Sequence, residues 1–129
     1  AAIMGANCII VHSIDVPPCE DIFAYNLEFY KSLEPYCKQF GIKVAVENLF
    51  RVDSKSKCFR GTLFTGQHLN QMIAALDSPH YIVCIDLGHA SLTGYEPQDL
   101  IKQFDNQTLK ALHVQDTDYI EDMHTLPYS

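Results

Sequence analysis

The sequence predicts an α/β protein built from parallel βα units. Three observations predict it. Four short runs, CIIVH (8–12), IKVAVE (42–47), YIVCID (81–86) and LKALHV (109–114), are apolar nearly throughout and rich in Val and Ile. They do not alternate cleanly between apolar and polar residues, as strands covered on both faces do not. Segments of helical periodicity lie between them, and strand, helix, strand at this rhythm means a parallel sheet.

Taken in order, AAIMGAN (1–7) reads as the last turn of a helix entering a turn at Gly5. After the first strand, Ile22, Phe23, Leu27, Tyr30, Leu33, Cys37 and Phe40 recur at helical spacing over 20–40, and Gly41 is placed to stop the helix. Pro35 inside it predicts a kink or a local break. The second strand is followed by the one long polar stretch, RVDSKSKCFRGT (51–62), with Arg51, Lys55, Lys57 and Arg60. It reads equally as a solvated loop or as an anion-contacting lid, in which Arg51 and Arg60 would touch a substrate anion. Gln67, Leu69, Met72, Ile73 and Leu76 mark a helix over 66–77 with Thr65 as its cap. The third strand precedes a helix over 97–104, opened by Pro97 at a first-turn position. No Gly-rich phosphate loop follows any strand, so a dinucleotide fold has little support.

Composition bounds the rest. The 129 residues suit one small domain, 1–129, or part of a larger one, and 47% apolar content supplies a core. The formal net charge of −7 argues against nucleic acid as the main partner. No apolar run is long enough for a membrane, and no signal-peptide pattern is present. The five cysteines are odd in number and form no CxxC, and Cys8 and Cys84 sit in apolar runs as small hydrophobes. A reduced, cytoplasmic protein without thiolate zinc is the simplest reading. The opening lacks an initiator Met and HTLPYS stops inside a loop, so we expect an internal piece of a longer chain.

The strand ends carry the chemistry. They are His12, Glu47, Asp86 and His113. In a parallel barrel the C-terminal strand edges converge on one mouth. Each residue alone has a structural reading: His12 or Asp86 as a cap, Glu47 in an ion pair, His113 as a satisfied core histidine. Four such ends in four strands point instead to a divalent-cation site. His89 follows Asp86 by three positions. Asp122 and His124, one residue apart on the loop after the last strand beside Asp116, can reach a common site.

VAVENL, CIDLGHA, ALHVQDTD and DMHTLP together resemble the xylose isomerase-like TIM barrel superfamily, which holds sugar (phosphate) isomerases and epimerases and the endonuclease IV branch of apurinic endonucleases. The resemblance implies a (β/α)8 TIM barrel, of which the chain supplies roughly the middle half. It implies metal ligands at Glu47, Asp86 and His113, with a further Glu on a later strand. Glu47 is then also the catalytic acid/base, and His89 the substrate-contacting histidine. The implied cofactor is a divalent metal, with Mn2+, Mg2+, Co2+ and Zn2+ all open because no thiolate is among the ligands. The implied activity is isomerisation or epimerisation of a sugar or sugar phosphate through proton abstraction next to a carbonyl. Such a piece alone would be a poor catalyst. A homo-oligomer stays open. The rival is a zinc-dependent apurinic-site endonuclease, since His12, Glu47, Asp86, His89, His113, Asp122 and His124 match that branch in type and order; the net charge weighs against it. A sugar-binding barrel without turnover is the third reading, against which Glu47 counts.

Overall fold

The computed structural model describes residues 1–14, 21–52 and 58–127, with the side chains of 58–60 excepted. Cys19, Lys55, Lys57 and the side chains of Cys58 and Arg60 therefore lie outside the described residues. A short 3-10 turn, Ala2–Met4, ends at Gly5 with φ 72°, the left-handed conformation that glycine adopts without a Cβ penalty. The elements are then β1 (Cys8–Val11), α1 (Ile22–Phe40), β2 (Lys43–Glu47), β3 (Phe50–Val52), β4 (Cys58–Arg60), α2 (Gly66–Leu76), β5 (Tyr81–Asp86), α3 (Leu87–Leu92), α4 (Pro97–Ile101) and β6 (Leu109–His113).

The four apolar runs form one parallel sheet in the order β1-β2-β5-β6, so sequence neighbours are spatial neighbours. This is part of a (β/α) barrel, as expected. The helix-facing side of the sheet carries Val44, Val46, Val83 and Ile85, packed with Tyr30, Leu69, Met72 and Leu100 in the main core. The opposite face carries small residues: Ala45, Ile82 and Cys84 are buried there, with Cys8, Ile10 and Ala111 against them. Side chains two apart on a strand share a face. His12, Glu47, Asp86 and His113 therefore continue this second face, one step past Ile10, Ala45, Cys84 and Ala111.

Three expectations are corrected. The stretch 51–62 is not simply a loop. Phe50, Arg51 and Val52 pair antiparallel with Arg60, Phe59 and Cys58, so a two-stranded ribbon follows β2. Of the kink or local break expected at Pro35, the break does not occur, since helix α1 runs from Ile22 to Phe40. The proline removes one backbone donor, but Asp21 caps the start through the Ala24 N–H at 3.0 Å, and Gly41 closes the end in the left-handed conformation. Helix α4 stops at Ile101 rather than at 104.

Candidate metal centre

The second face of the sheet ends in a cluster of carboxylates and imidazoles. Glu47 and Asp86 are both fully buried. Burying two carboxylates is costly unless charge partners and hydrogen bonds come with them. Around Glu47 they are imidazoles. His113 Nδ1 lies 2.8 Å from Glu47 Oε1 and 3.5 Å from Asp86 Oδ2. His89 Nδ1 is 3.7 Å from Glu47 Oε1, and His12 Nε2 is 2.9 Å from Glu47 Oε2. The His12 contact is close but does not count as a hydrogen bond, so Glu47 Oε2 is a buried oxygen with no hydrogen-bond partner among the described residues. Ligand atoms of Glu47, Asp86 and His89 all lie within 4.8 Å of one another, as do those of Glu47, Cys84 and His113.

Local structure sets each group. Asp86 ends β5 and caps α3, its Oδ1 accepting the His89 N–H at 2.9 Å. The short helix begins without any loop and carries His89 back over the strand end. The Asn48 side chain extends the β2–β5 pairing one step past the ladder. Its Oδ1 accepts the Asp86 N–H at 2.7 Å, and its Nδ2 donates to the Asp86 carbonyl at 3.0 Å. The Asn48 carbonyl meets His89 Nδ1 at 2.9 Å, and a carbonyl only accepts, so Nδ1 carries the proton there. Phe50 of the ribbon lies against the His89 ring, centroids 4.9 Å apart. On β1, the Tyr30 hydroxyl donates to the Val11 carbonyl at 2.9 Å, and Asn26 brackets the backbone of Ile14 with two hydrogen bonds. These contacts from α1 fix the segment holding His12.

The loop after β6 closes the cluster from the other side. Asp122 Oδ2 lies 2.9 Å from His124 Nε2 and 3.6 Å from His89 Nε2, while Asp122 Oδ1 is buried without a hydrogen-bond partner among the described residues. Gln115 Nε2 donates to both oxygens of Asp86, at 2.9 Å each. A cavity of about 330 Å³ borders this part, lined by Asp86, His113, Gln115, His124, Leu112 and Leu126 among others. That volume lies at the small end of those that hold organic ligands.

The structure thus brings together His12, Glu47, Asp86, His89, His113, Asp122 and His124, although Asp122 and His124 gather on the His89 side and His12 on the Glu47 side. Arg51 lines a small cavity of about 60 Å³ with Ser13, Ile14, Leu49, Phe50 and Thr62. Arg60 is placed only by its backbone, opposite Phe50. Two residues beside the site were expected to have no part in it. Cys84, read as a core hydrophobe, is buried but beside Glu47 and His113; burial first, then Glu47 and Asp86, push its thiol up to about 12. Gln115 was passed over, though it stands two residues after His113 and so shares its side of the chain.

A parallel (β/α) sheet whose strand ends gather carboxylates and imidazoles defines a barrel with a polar mouth. The chain belongs to the xylose isomerase-like TIM barrel family, whose profile matches residues 1–127. Among curated protein sequences none matches. Among solved structures, a D-tagatose 3-epimerase-like protein superposes with a TM-score of 0.77 at 18% identity, covering 95% of this chain and 46% of that one. The 3-keto-D-glucoside 4-epimerase of E. coli gives 0.66 at 18% identity, over 89% of this chain and 46% of its own. The IolI protein, solved with a bound zinc atom, gives 0.68 at 13% identity, over 97% and 45%. At these identities the likeness speaks for the fold, and the chain spans less than half the length of each.

Proposed function

We propose that the protein to which this chain belongs isomerises or epimerises a sugar or sugar phosphate with the help of a divalent cation. The observation that carries the reading is the buried Glu47 with one oxygen lacking a hydrogen-bond partner among the described residues, amid His113, His89 and Asp86. A buried oxygen of this kind suits a cation, and oxygen with imidazole is a donor set for Mn2+, Co2+, Zn2+ or, less readily, Mg2+. Glu47, Asp86 and His113 are the residues proposed to hold it. When bound, the cation supplies electrostatic stabilisation for negative charge developing on substrate oxygens.

The rest is the chain's own chemistry. Glu47 is the proposed base, taking the proton from the carbon next to the carbonyl; isomerisation returns it to the neighbouring carbon on the same face, and epimerisation takes a proton on the other face from the further Glu that the resemblance implies on a later strand. Burial keeps water from competing for that proton. His89 orients a substrate oxygen: with Nδ1 committed to the Asn48 carbonyl, Nε2 is the nitrogen that faces the site. The name of the D-tagatose 3-epimerase-like structure and the zinc atom of IolI agree with this reading. An anion contact by Arg51 or Arg60 stays part of it only for a phosphorylated substrate.

One observation favours the endonuclease reading as a second choice. Asp122 reaches His89 and carries His124 against its own carboxylate, which a single-cation sugar site does not require. Full-length protein, loaded with Mn2+ or Zn2+ and incubated with ketoses in deuterium oxide, should place deuterium on a carbon next to the carbonyl. It should leave abasic duplex DNA intact at catalytic enzyme levels. Efficient nicking without exchange would reverse the ranking.

A further inference from the structure

The side chain of Gln115 joins two parts of the site that come from different stretches of chain. Its Nε2 donates to Asp86 Oδ1 and Oδ2, each at 2.9 Å, and its Oε1 accepts the backbone N–H of His124 at 3.0 Å. A carboxylate only accepts and a backbone N–H only donates, so these partners fix which end of the amide points where. His124 is held at φ 50°, the left-handed region, which costs a residue with a Cβ about 1 kcal/mol. Something must hold it there, and the Gln115 carbonyl is bonded to its N–H. The same backbone turn presents Asp122 to His89 at 3.6 Å.

The space around the amide points the same way. A Cβ on Gly88 would sit 2.8 Å from Gln115 Cδ and 2.9 Å from its Nε2, closer than real Cβ atoms come. Gly88 lies inside α3 and has no positive φ, so the helix backbone does not call for glycine. The close approach of Gln115 does.

We propose that Gln115 is a positioning residue that orients the Asp86 carboxylate and ties to it the loop carrying Asp122 and His124. One amide thereby sets the distance between the β5 end of the site and the loop after β6. Its effect on cation binding rests on the metal reading above; the tie itself does not.

Two variants of the full-length chain test it. Gln115→Met removes the hydrogen bonds at similar length, and Gly88→Ala displaces the amide without altering it. In metal-free protein, both should speed hydrogen exchange at the His124 amide by about tenfold or more, the scale of one lost hydrogen bond. Both should weaken Zn2+ binding by roughly 10- to 100-fold, as lost support of a ligand does. The double variant should be no worse than Gln115→Met, because both changes remove the same contact. Unchanged His124 exchange in Gln115→Met overturns the proposal, as do losses that multiply in the double variant. If Gly88→Ala does not fold, Gln115→Met decides alone. If wild-type protein binds no Zn2+, the metal reading fails, and His124 exchange still decides for or against the tie.

Discussion

Asp86 divides its two oxygens between structure and site. Oδ1 caps α3 through the His89 N–H, while Oδ2 faces His113 at 3.5 Å and His89 Nε2 at 4.0 Å. The capping reading and the site reading of this residue are therefore compatible. His89 is the residue on which the two functional readings part. Its Nε2 faces two carboxylate oxygens, with Asp122 Oδ2 nearer at 3.6 Å. If His89 orients substrate, His89→Ala should leave metal content near that of wild type and lower turnover by ~10²-fold or more, the usual scale for a positioned polarising group. Elemental analysis beside an activity assay separates this from a second-cation role, in which the substitution would also remove metal. Full activity would leave His89 only its structural contacts with Asn48 and Phe50.

Asn48 shows what one side chain does for whole elements. It continues the β2–β5 pairing past the last ladder residue and holds the backbone of Asp86 where α3 begins. Asn48→Ala would leave a buried N–H and a buried carbonyl without partners, and should cost about 3 kcal/mol of stability. A denaturant titration of the full-length protein reads this; a loss under about 1 kcal/mol would mean that water replaces both bonds. The four strands were legible in the sequence because burial on both faces leaves an apolar run, and their terminal residues were legible for the same reason: a Glu, an Asp or a His is conspicuous there. Helix α3 was not, because it spans six residues, starts directly on a strand end and has no room for a helical period. The ribbon of β3 and β4 was hidden by Arg51 and Arg60 and by its shortness, since three residue pairs across a ribbon leave no hydrophobic pattern. Gln115 was hidden because its meaning depends on the missing Cβ of Gly88, a contact between residues 27 positions apart.

At the scale of the molecule, burial leaves its mark on alkaline stability. The Cys84 thiol is pushed up from an ordinary 9.0 to about 12, mainly by burial. Burial, then Cys37 and Glu34, push Tyr81 up to about 12, and burial followed by Glu47 raises Tyr30 as well. The unfolded chain releases these protons first, so it binds fewer of them between the two values. Their contribution to stability is therefore whole below pH 9 and is lost as pH rises toward 12. Melting temperature should fall steadily above pH ~9, and a midpoint level to pH ~11 would contradict the burial of these groups. The central claim, however, concerns the cluster where the strand ends meet, and calorimetric titration of metal-free full-length protein with Mn2+ and Zn2+ tests it most directly. The account predicts saturable binding that weakens at least ~10-fold in Asp86→Ala. Absence of saturable binding, or an Asp86→Ala affinity equal to that of wild type, would contradict it.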